Sequence, residues 1–298
     1  MKSIFLIGGS GFIGKNLAKF LCREYEVSVY DKYIDESYFS QFSQIKTVLI
    51  DLVEEQIASE SNTPDYVINL ASIVTAERDL SLFDSLISSN LKILLNLFNR
   101  FKEDNKLKLF IQFGSSEEYG SENSPFKESI RENPNSPYAL VKQLTTNTAM
   151  MLYRNYDFPI MVVRPGNLFG TLQNKSKFIP YVINCLKNNF PLNVSPCEQK
   201  RDFIYIDDFT NCINDLILNY NDCIGQIVNV SSGESISLKA IIDYCKIGLN
   251  SSSIVNYGAI PYRENEVMDL KCSVEKLSQI TKSEIRFNIL NRLKDFIK

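Results

Sequence analysis

The first fourteen residues constrain the chain most. Ser3 to Ile7 is an apolar run of strand length. Gly8, Gly11 and Gly14 follow at three-residue intervals, and Phe12, Leu17, Phe20 and Leu21 then recur with helical spacing. Strand, glycine turn and helix in that order aim backbone N–H groups and the positive end of a helix dipole at one point, where a pyrophosphate would sit. A side chain at Gly11 would obstruct close approach to the backbone, and one at Gly14 would crowd helix against strand. A second apolar run, Glu26 to Tyr30, ends in Asp31, seventeen residues beyond Gly14, near the spacing of a carboxylate that accepts hydrogen bonds from ribose hydroxyls. Dinucleotide binding is the reading these features support together. The plainer alternative is a simple turn followed by a solvated strand-end charge. A carboxylate at Asp31 would repel a 2′-phosphate and so favours NAD over NADP; Lys32 beside it is a candidate counter-charge that would admit NADP, but a solvent-facing lysine is the better reading.

The rest of the chain continues the rhythm. Lys46 to Asp51, Asp65 to Ala71, Leu107 to Phe113 and Ile160 to Arg164 read as buried strands, and Leu80 to Lys102 and Tyr138 to Tyr156 as helices. The expected fold is α/β, a doubly wound parallel sheet over residues 1–170. Beyond residue 170 the pattern becomes irregular, with a helix near Phe178 to Lys187. Residues 171–298 are expected to form a smaller, mainly substrate-binding part whose chain returns to the sheet near Phe203 to Ile206 and Ile227 to Val230.

Composition excludes several classes. The net charge is −3 and no basic run occurs, which argues against nucleic-acid or anionic-membrane partners. No stretch approaches membrane-spanning length and no signal pattern opens the chain, so a cytoplasmic protein is expected. Seven scattered cysteines without a CxxC pair suggest inert thiols rather than disulfides or a metal site. There is no histidine, which removes histidine triads, histidine bases and histidine metal ligands. Proton transfer is left to Tyr, Lys, Ser, Cys, Asp and Glu.

Those residues converge in the middle of the chain. Ser136-Pro137 is a helix start, because a serine hydroxyl at the N-cap satisfies an orphan amide and proline suits the first turn. Tyr138 and Lys142 then lie one turn apart on one face. An ammonium near a phenol oxygen favours the phenolate, as does the positive charge of an oxidised nicotinamide, so Tyr138 is expected to exchange protons below its ordinary pKa. Ser115, at the end of a strand, is placed to hydrogen-bond a substrate oxygen.

With these motifs in view, the chain resembles the extended short-chain dehydrogenase/reductase family of nucleotide-sugar enzymes, whose sheet is the Rossmann type. The matching segments are GGSGFIG at 8–14, NLAS at 69–72, GSSEEYG at 114–120, SPYALVK at 136–142, RPGNLFG at 164–170, RDFIYIDD at 201–208, NVSSGESISL at 229–238 and PYRENEVMD at 261–269. The resemblance implies catalytic roles for Ser115, Tyr138 and Lys142. It implies that Gly8, Gly11, Phe12, Ile13, Gly14, Asp31, Asp51, Leu52, Leu70, Ala71, Ser72 and Asn90, with Tyr138 and Lys142, line the dinucleotide. It places Asn167 and the region of Val194 on the substrate's nucleotide, Arg201 and Arg263 on its pyrophosphate, and Ser116 among the substrate contacts. A guanidinium fork suits phosphate oxygens; surface ion pairs with Asp202 or Glu264 are the alternative for these arginines. A homodimer through the two long helices is also implied. Asp207 and Asp208 are read as caps of the following helix, and no metal is expected.

The reaction turns on Glu117. Dehydratases of the family place a glutamate two residues after the catalytic hydroxyl, usually beside another acid; here the neighbour is Ser116 and the hydroxyl belongs to Ser115 rather than to a threonine. The segments look most like 4-ketoreductases of nucleotide-linked 6-deoxyhexoses, the branch with the synthases of CDP-abequose and dTDP-fucose. Asp31 sits awkwardly with a biosynthetic reductase, which usually draws on NADPH. An NAD-dependent 4-epimerase is the leading alternative, and a 4,6-dehydratase or a non-enzymatic dinucleotide sensor stands further off.

Overall fold

The structure is a computed structural model and describes residues 1–58, 62–282 and 287–297. It divides into two compact units, each assembled from separated stretches: Met1–Gly120, Arg131–Pro165 and Thr210–Val228 make unit 1, and Ser121–Ile130, Gly166–Phe209 and the chain from Asn229 onward make unit 2.

Unit 1 is built on β1 (Ser3–Ile7), β2 (Glu26–Asp31), β3 (Ile45–Leu49), β4 (Tyr66–Asn69), β5 (Leu109–Phe113) and β6 (Ile160–Pro165). The sheet has seven strands in the order Ile227–Val230, β6, β5, β4, β1, β2, β3. From β3 across to β6 every pairing is parallel. Parallel strands joined by helices are covered on both faces, so their side chains are apolar without alternation. Ile4 to Ile7 and the whole of β5 are accordingly buried. One face packs Phe5, Val67, Phe110 and Val162 against Leu94, Leu97 and Leu152 of the covering helices. Strand order reverses at β1, whose end feeds Gly8, so the glycine turn lies at the topological switch point.

Three local expectations change. The strand expected over Lys46 to Asp51 is Ile45–Leu49 and lies at the sheet edge, with only Ile45 buried and Leu49 71% exposed. Asp51 ends it by accepting the Val53 N–H at 3.0 Å. The stretch Leu80 to Lys102 is not one helix. A 3-10 turn (Leu80–Leu82), an α-helix (Phe83–Ile87), a π turn (Ser88–Lys92) and a second α-helix (Ile93–Phe101) succeed one another. The side chains of Ser89 and Asn90 both donate to the Leu86 carbonyl, competing with the regular ladder. Finally, Phe203–Tyr205 does not return to the main sheet; it pairs with Asn167–Phe169.

Unit 2 has its own core, in which Ile179, Val182 and Leu186 of helix Phe178–Lys187 meet Ile241, Ile242 and Leu293. Asp202 is its polar hub, accepting the N–H groups of Ser232, Gly233 and Cys272. Asp207 and Asp208 fall inside the first turn of helix Ile206–Leu218 rather than capping it, and Arg292 donates to Asp208 through Nε at 2.8 Å. All seven cysteines are buried free thiols. No helix among the described residues is long and apolar enough to cross a membrane.

Candidate active site

The glycine turn of unit 1 is a cradle with one open side. Gly8 takes φ +70° and passes so close to β4 that a Cβ there would meet the Ala71 nitrogen at 2.7 Å. A Cβ on Gly14 would meet Gly9 backbone at 2.4 Å, so helix Phe12–Leu21 packs there without a side chain between. Above Gly11 the nearest atom to a Cβ is 3.8 Å away. That helix has no side-chain cap and no acid in its first turn, leaving its N–H groups and dipole directed at the space over Gly11.

Of the other residues assigned to the dinucleotide, Asp31, Leu70 and Ala71 lie against this turn. Asp31 accepts N–H bonds from Ser10 at 2.9 Å and Tyr33 at 3.2 Å, which leaves lone pairs for ribose hydroxyls. Lys32 is exposed. Leu52 buries its side chain in the core and gives its carbonyl to Asn96, while Leu70 and Ala71 are fixed by bonds to the Ile7 carbonyl and to Asn69 Oδ1. Phe12, Ile13 and Ser72 are half-buried. Asn90, in the π turn, spends its amide hydrogens on Leu86 and Ser89, so its buried Oδ1 is an acceptor without a partner. An open helix terminus, a carboxylate with lone pairs to spare and an orphaned acceptor fit an NAD molecule.

The proposed catalytic residues come together beside β5. Helix Pro137–Tyr156 starts as read from the sequence, with Ser136 Oγ accepting the Ala139 N–H at 3.1 Å. Tyr138 is 6% exposed and hydrogen-bonds the Ser115 side chain. Lys142, 2% exposed, donates to the Phe113 carbonyl at 2.9 Å, with Nζ 5.8 Å from the centre of the Tyr138 ring. This corrects the part of the phenolate expectation that rested on the lysine. Burial pushes the Tyr138 phenol well up, the Glu117 charge adds to the rise, and the bond to Ser115 opposes it. Burial also brings Lys142 down to about 8, with the Glu118 charge opposing. The ammonium is aimed at a carbonyl, so the surroundings of Tyr138 favour the neutral phenol.

Ser115 begins a 3-10 turn, Ser116–Tyr119. Its hydroxyl accepts the Glu117 N–H at 3.1 Å, and its own N–H donates to Glu118 Oε1 at 2.8 Å, a reciprocal capping box. Ser116 is buried and Glu117 exposed. Glu118 is wholly buried and was not singled out from the sequence, although Ser115 and Glu118 stand at capping-box spacing.

In unit 2 a pocket of about 590 Å³ gathers Asn167, Val194, Arg201 and Arg263 on its walls. Arg201 pairs with Glu266 and donates to the carbonyls of Lys200 and Val267. Among the described residues no carboxylate pairs with Arg263. Lys177 adds a third cation against the single carboxylate of Glu266, a balance that favours an anionic ligand. Asn167 Nδ2, Gln173 Oε1 and Gln199 Oε1 are buried there without partners, polar groups that a ligand would satisfy. Gln173 and Gln199 carry no motif that would have marked them.

The sequence model of the NAD dependent epimerase/dehydratase family matches residues 4–231. The chain belongs to that family. Its cofactor is NAD, which the cradle of unit 1 fits. Among curated relatives, CDP-abequose synthase of Salmonella muenchen is 26% identical over 94% of this chain and 92% of its own length. The dTDP-4-dehydro-6-deoxyglucose reductase of Escherichia coli is 25% identical over 92% and 91%. A dTDP-D-glucose 4,6-dehydratase of Dictyostelium discoideum is 27% identical, but the match covers 80% of this chain and 60% of that protein. UDP-glucuronic acid 4-epimerase from Bacillus cereus, solved with UDP-glucuronic acid and NAD, superposes with a TM-score of 0.90 at 22% identity, covering 100% and 99% of the two chains. At that identity the likeness establishes the epimerase/dehydratase fold.

Proposed function

We propose that this family member is a nucleotide-sugar 4-ketoreductase acting on a nucleotide-linked 4-keto-6-deoxyhexose. The observation that carries this reading is the buried contact between Ser115 and a Tyr138 phenol held protonated by burial and by the Glu117 charge. When bound in reduced form, the dinucleotide supplies the hydride that reaches the sugar C4. Ser115 polarises the C4 oxygen and Tyr138 gives it a proton. Lys142 keeps the serine strand end and the tyrosine helix in register through Phe113. Asn167, Val194, Arg201 and Arg263 hold the nucleoside diphosphate, with Ser116 among the sugar contacts. CDP-abequose synthase and dTDP-4-dehydro-6-deoxyglucose reductase, whose matches cover over nine-tenths of both chains, support the substrate class.

The exposed Glu117, preceded by Ser116 rather than by an acid and followed by a Glu118 that is buried, weighs against dehydration. Asp31, facing the glycine turn, favours a retained NAD and supports 4-epimerisation as the second reading. Leu140 and Leu144, one turn apart and 45% and 42% exposed, support a homodimer through helix 137–156.

Purified protein is incubated with NADH or NADPH and CDP- or dTDP-linked 4-keto-6-deoxyhexoses, and with UDP-hexoses. Stoichiometric loss of reduced-nicotinamide absorbance supports the reductase. Interconversion of C4 epimers without net cofactor loss replaces it with the epimerase, and binding without turnover leaves a sensor.

A further inference from the structure

The catalytic centre of unit 1 contains a buried carboxylate to which the proposed reaction gives no task. Glu118 Oε1 accepts the Ser115 N–H at 2.8 Å and the Thr146 hydroxyl at 3.1 Å. Its Oε2 accepts Arg164 through Nε at 2.9 Å and Nη2 at 2.7 Å. Arg164 reaches on to Glu132 at 2.5 Å and lies 4.7 Å above the Tyr119 ring. Four donors converge on Glu118 and no acceptor does, so the group is a carboxylate and Arg164 its counter-ion. The chain makes room for it: a Cβ on Gly114 would meet Oε1 at 2.4 Å.

Thr146 is the informative partner. It stands four residues after Lys142 and eight after Tyr138, so the three side chains share one stripe of helix 137–156. One carboxylate oxygen therefore ties the backbone of Ser115 to the stripe that carries the proposed proton donor.

The geometry points to Glu118 as the positioning residue of this centre: through Thr146 and Arg164 it fixes the Ser115 backbone, and with it the place of the serine hydroxyl relative to the Tyr138 phenol. The inference rests on the proposed roles of Ser115 and Tyr138. Displacing a reacting group by a fraction of an ångström costs turnover while leaving ligand binding in place. Removing Glu118 alone would leave the buried Arg164 with Glu132 as its remaining carboxylate partner among the described residues and its Nε bond broken, so the informative change replaces Glu118 and Arg164 together by apolar groups of similar volume.

Glu118→Leu combined with Arg164→Met, and separately Thr146→Val, are compared with the wild type in three measurements. Circular dichroism and NADH fluorescence report folding and cofactor binding, steady-state kinetics separates kcat from KM, and hydrogen exchange follows the amides of residues 114–120. The expected result for the folded double variant is dinucleotide affinity and KM within about threefold of wild type, a kcat lower by about 10- to 100-fold, and faster exchange across 114–120. Thr146→Val, nearly isosteric, moves kcat and exchange in the same direction by less, and it decides the matter if the double variant does not fold. A kcat per folded molecule within about twofold of wild type, with unchanged exchange, overturns the inference whatever happens to thermal stability. Should the wild type turn over no nucleotide sugar, the reductase reading fails, and exchange at 114–120 still decides whether Glu118 holds this turn.

Discussion

Lys142 Nζ donates to the carbonyl oxygen of Phe113 at 2.9 Å, joining the proposed proton-transfer helix to the last residue of β5, two residues before Ser115. A buried ammonium whose hydrogen bonds go to a neutral carbonyl is costly to keep charged, which is why its pKa lies at about 8.

That cost sets a pH dependence. Below pH 8 the lysine is protonated in both folded and unfolded chains and the penalty is constant. Between about 8 and the unfolded value of 10.5 the folded chain gives up its proton first, so the unfolded state binds more protons and stability rises with pH. The full shift corresponds to about 3 kcal/mol. Lys142→Met lacks this rise. Urea midpoints of the unliganded proteins from pH 7 to 10 are expected to show the variant more stable at pH 7 and the two converging by pH 10. Parallel curves would mean that the lysine is not carrying a buried charge.

Tyr138→Phe keeps the ring in its place between Leu86 and Val141 and removes only the hydroxyl. Turnover is expected to fall by about 10²- to 10⁴-fold while NADH binding is retained. Full turnover in the variant would remove the assigned proton donor.

Two glycines of one turn are expected to respond oppositely. Gly14→Ala places a methyl 2.4 Å from Gly9 backbone and should destabilise by about 1–3 kcal/mol. Gly11→Ala meets nothing closer than 3.8 Å, so its stability should change by about 1 kcal/mol or less. Its NAD affinity should drop by about tenfold or more, because the methyl stands where the diphosphate approaches the backbone. Thermal melts and NADH titrations of both variants check the contrast. Unimpaired binding by Gly11→Ala would place the diphosphate elsewhere.

Among the described residues Arg263 has no carboxylate partner, whereas Arg201 is paired with Glu266. Arg263→Ala is therefore expected to weaken nucleoside diphosphate binding by about tenfold or more at unchanged melting temperature. Calorimetric titration with CDP, dTDP and UDP measures this and ranks the bases. Equal affinity in wild type and variant would take Arg263 out of the diphosphate site.

Replacing Leu140 and Leu144 together with Asp is expected to yield a monomer in light scattering if helix 137–156 forms the proposed dimer face. A wild type that is already monomeric defeats that assignment.

Features governed by neighbours along the chain could be read before any coordinates. The strand-turn-helix at residues 3–21, the Ser136-Pro137 start and the Tyr138–Lys142 stripe depend on apolar period, glycine spacing and capping, and each appears where those patterns put it. Features governed by partners distant in sequence could not. The edge position of Leu49, the π turn that orphans Asn90 Oδ1, the pairing of Phe203–Tyr205 with Asn167–Phe169, and the pairing of Glu266 with Arg201 all depend on long-range packing. The protonation of Tyr138 belongs with these. Four-residue spacing places a lysine beside a tyrosine, but the direction of the ammonium and the exclusion of water are set by β5 and the Ser115 turn. Burial outweighs the nearby charge because desolvation acts on the whole phenolate, while an ammonium spent on a carbonyl offers it little.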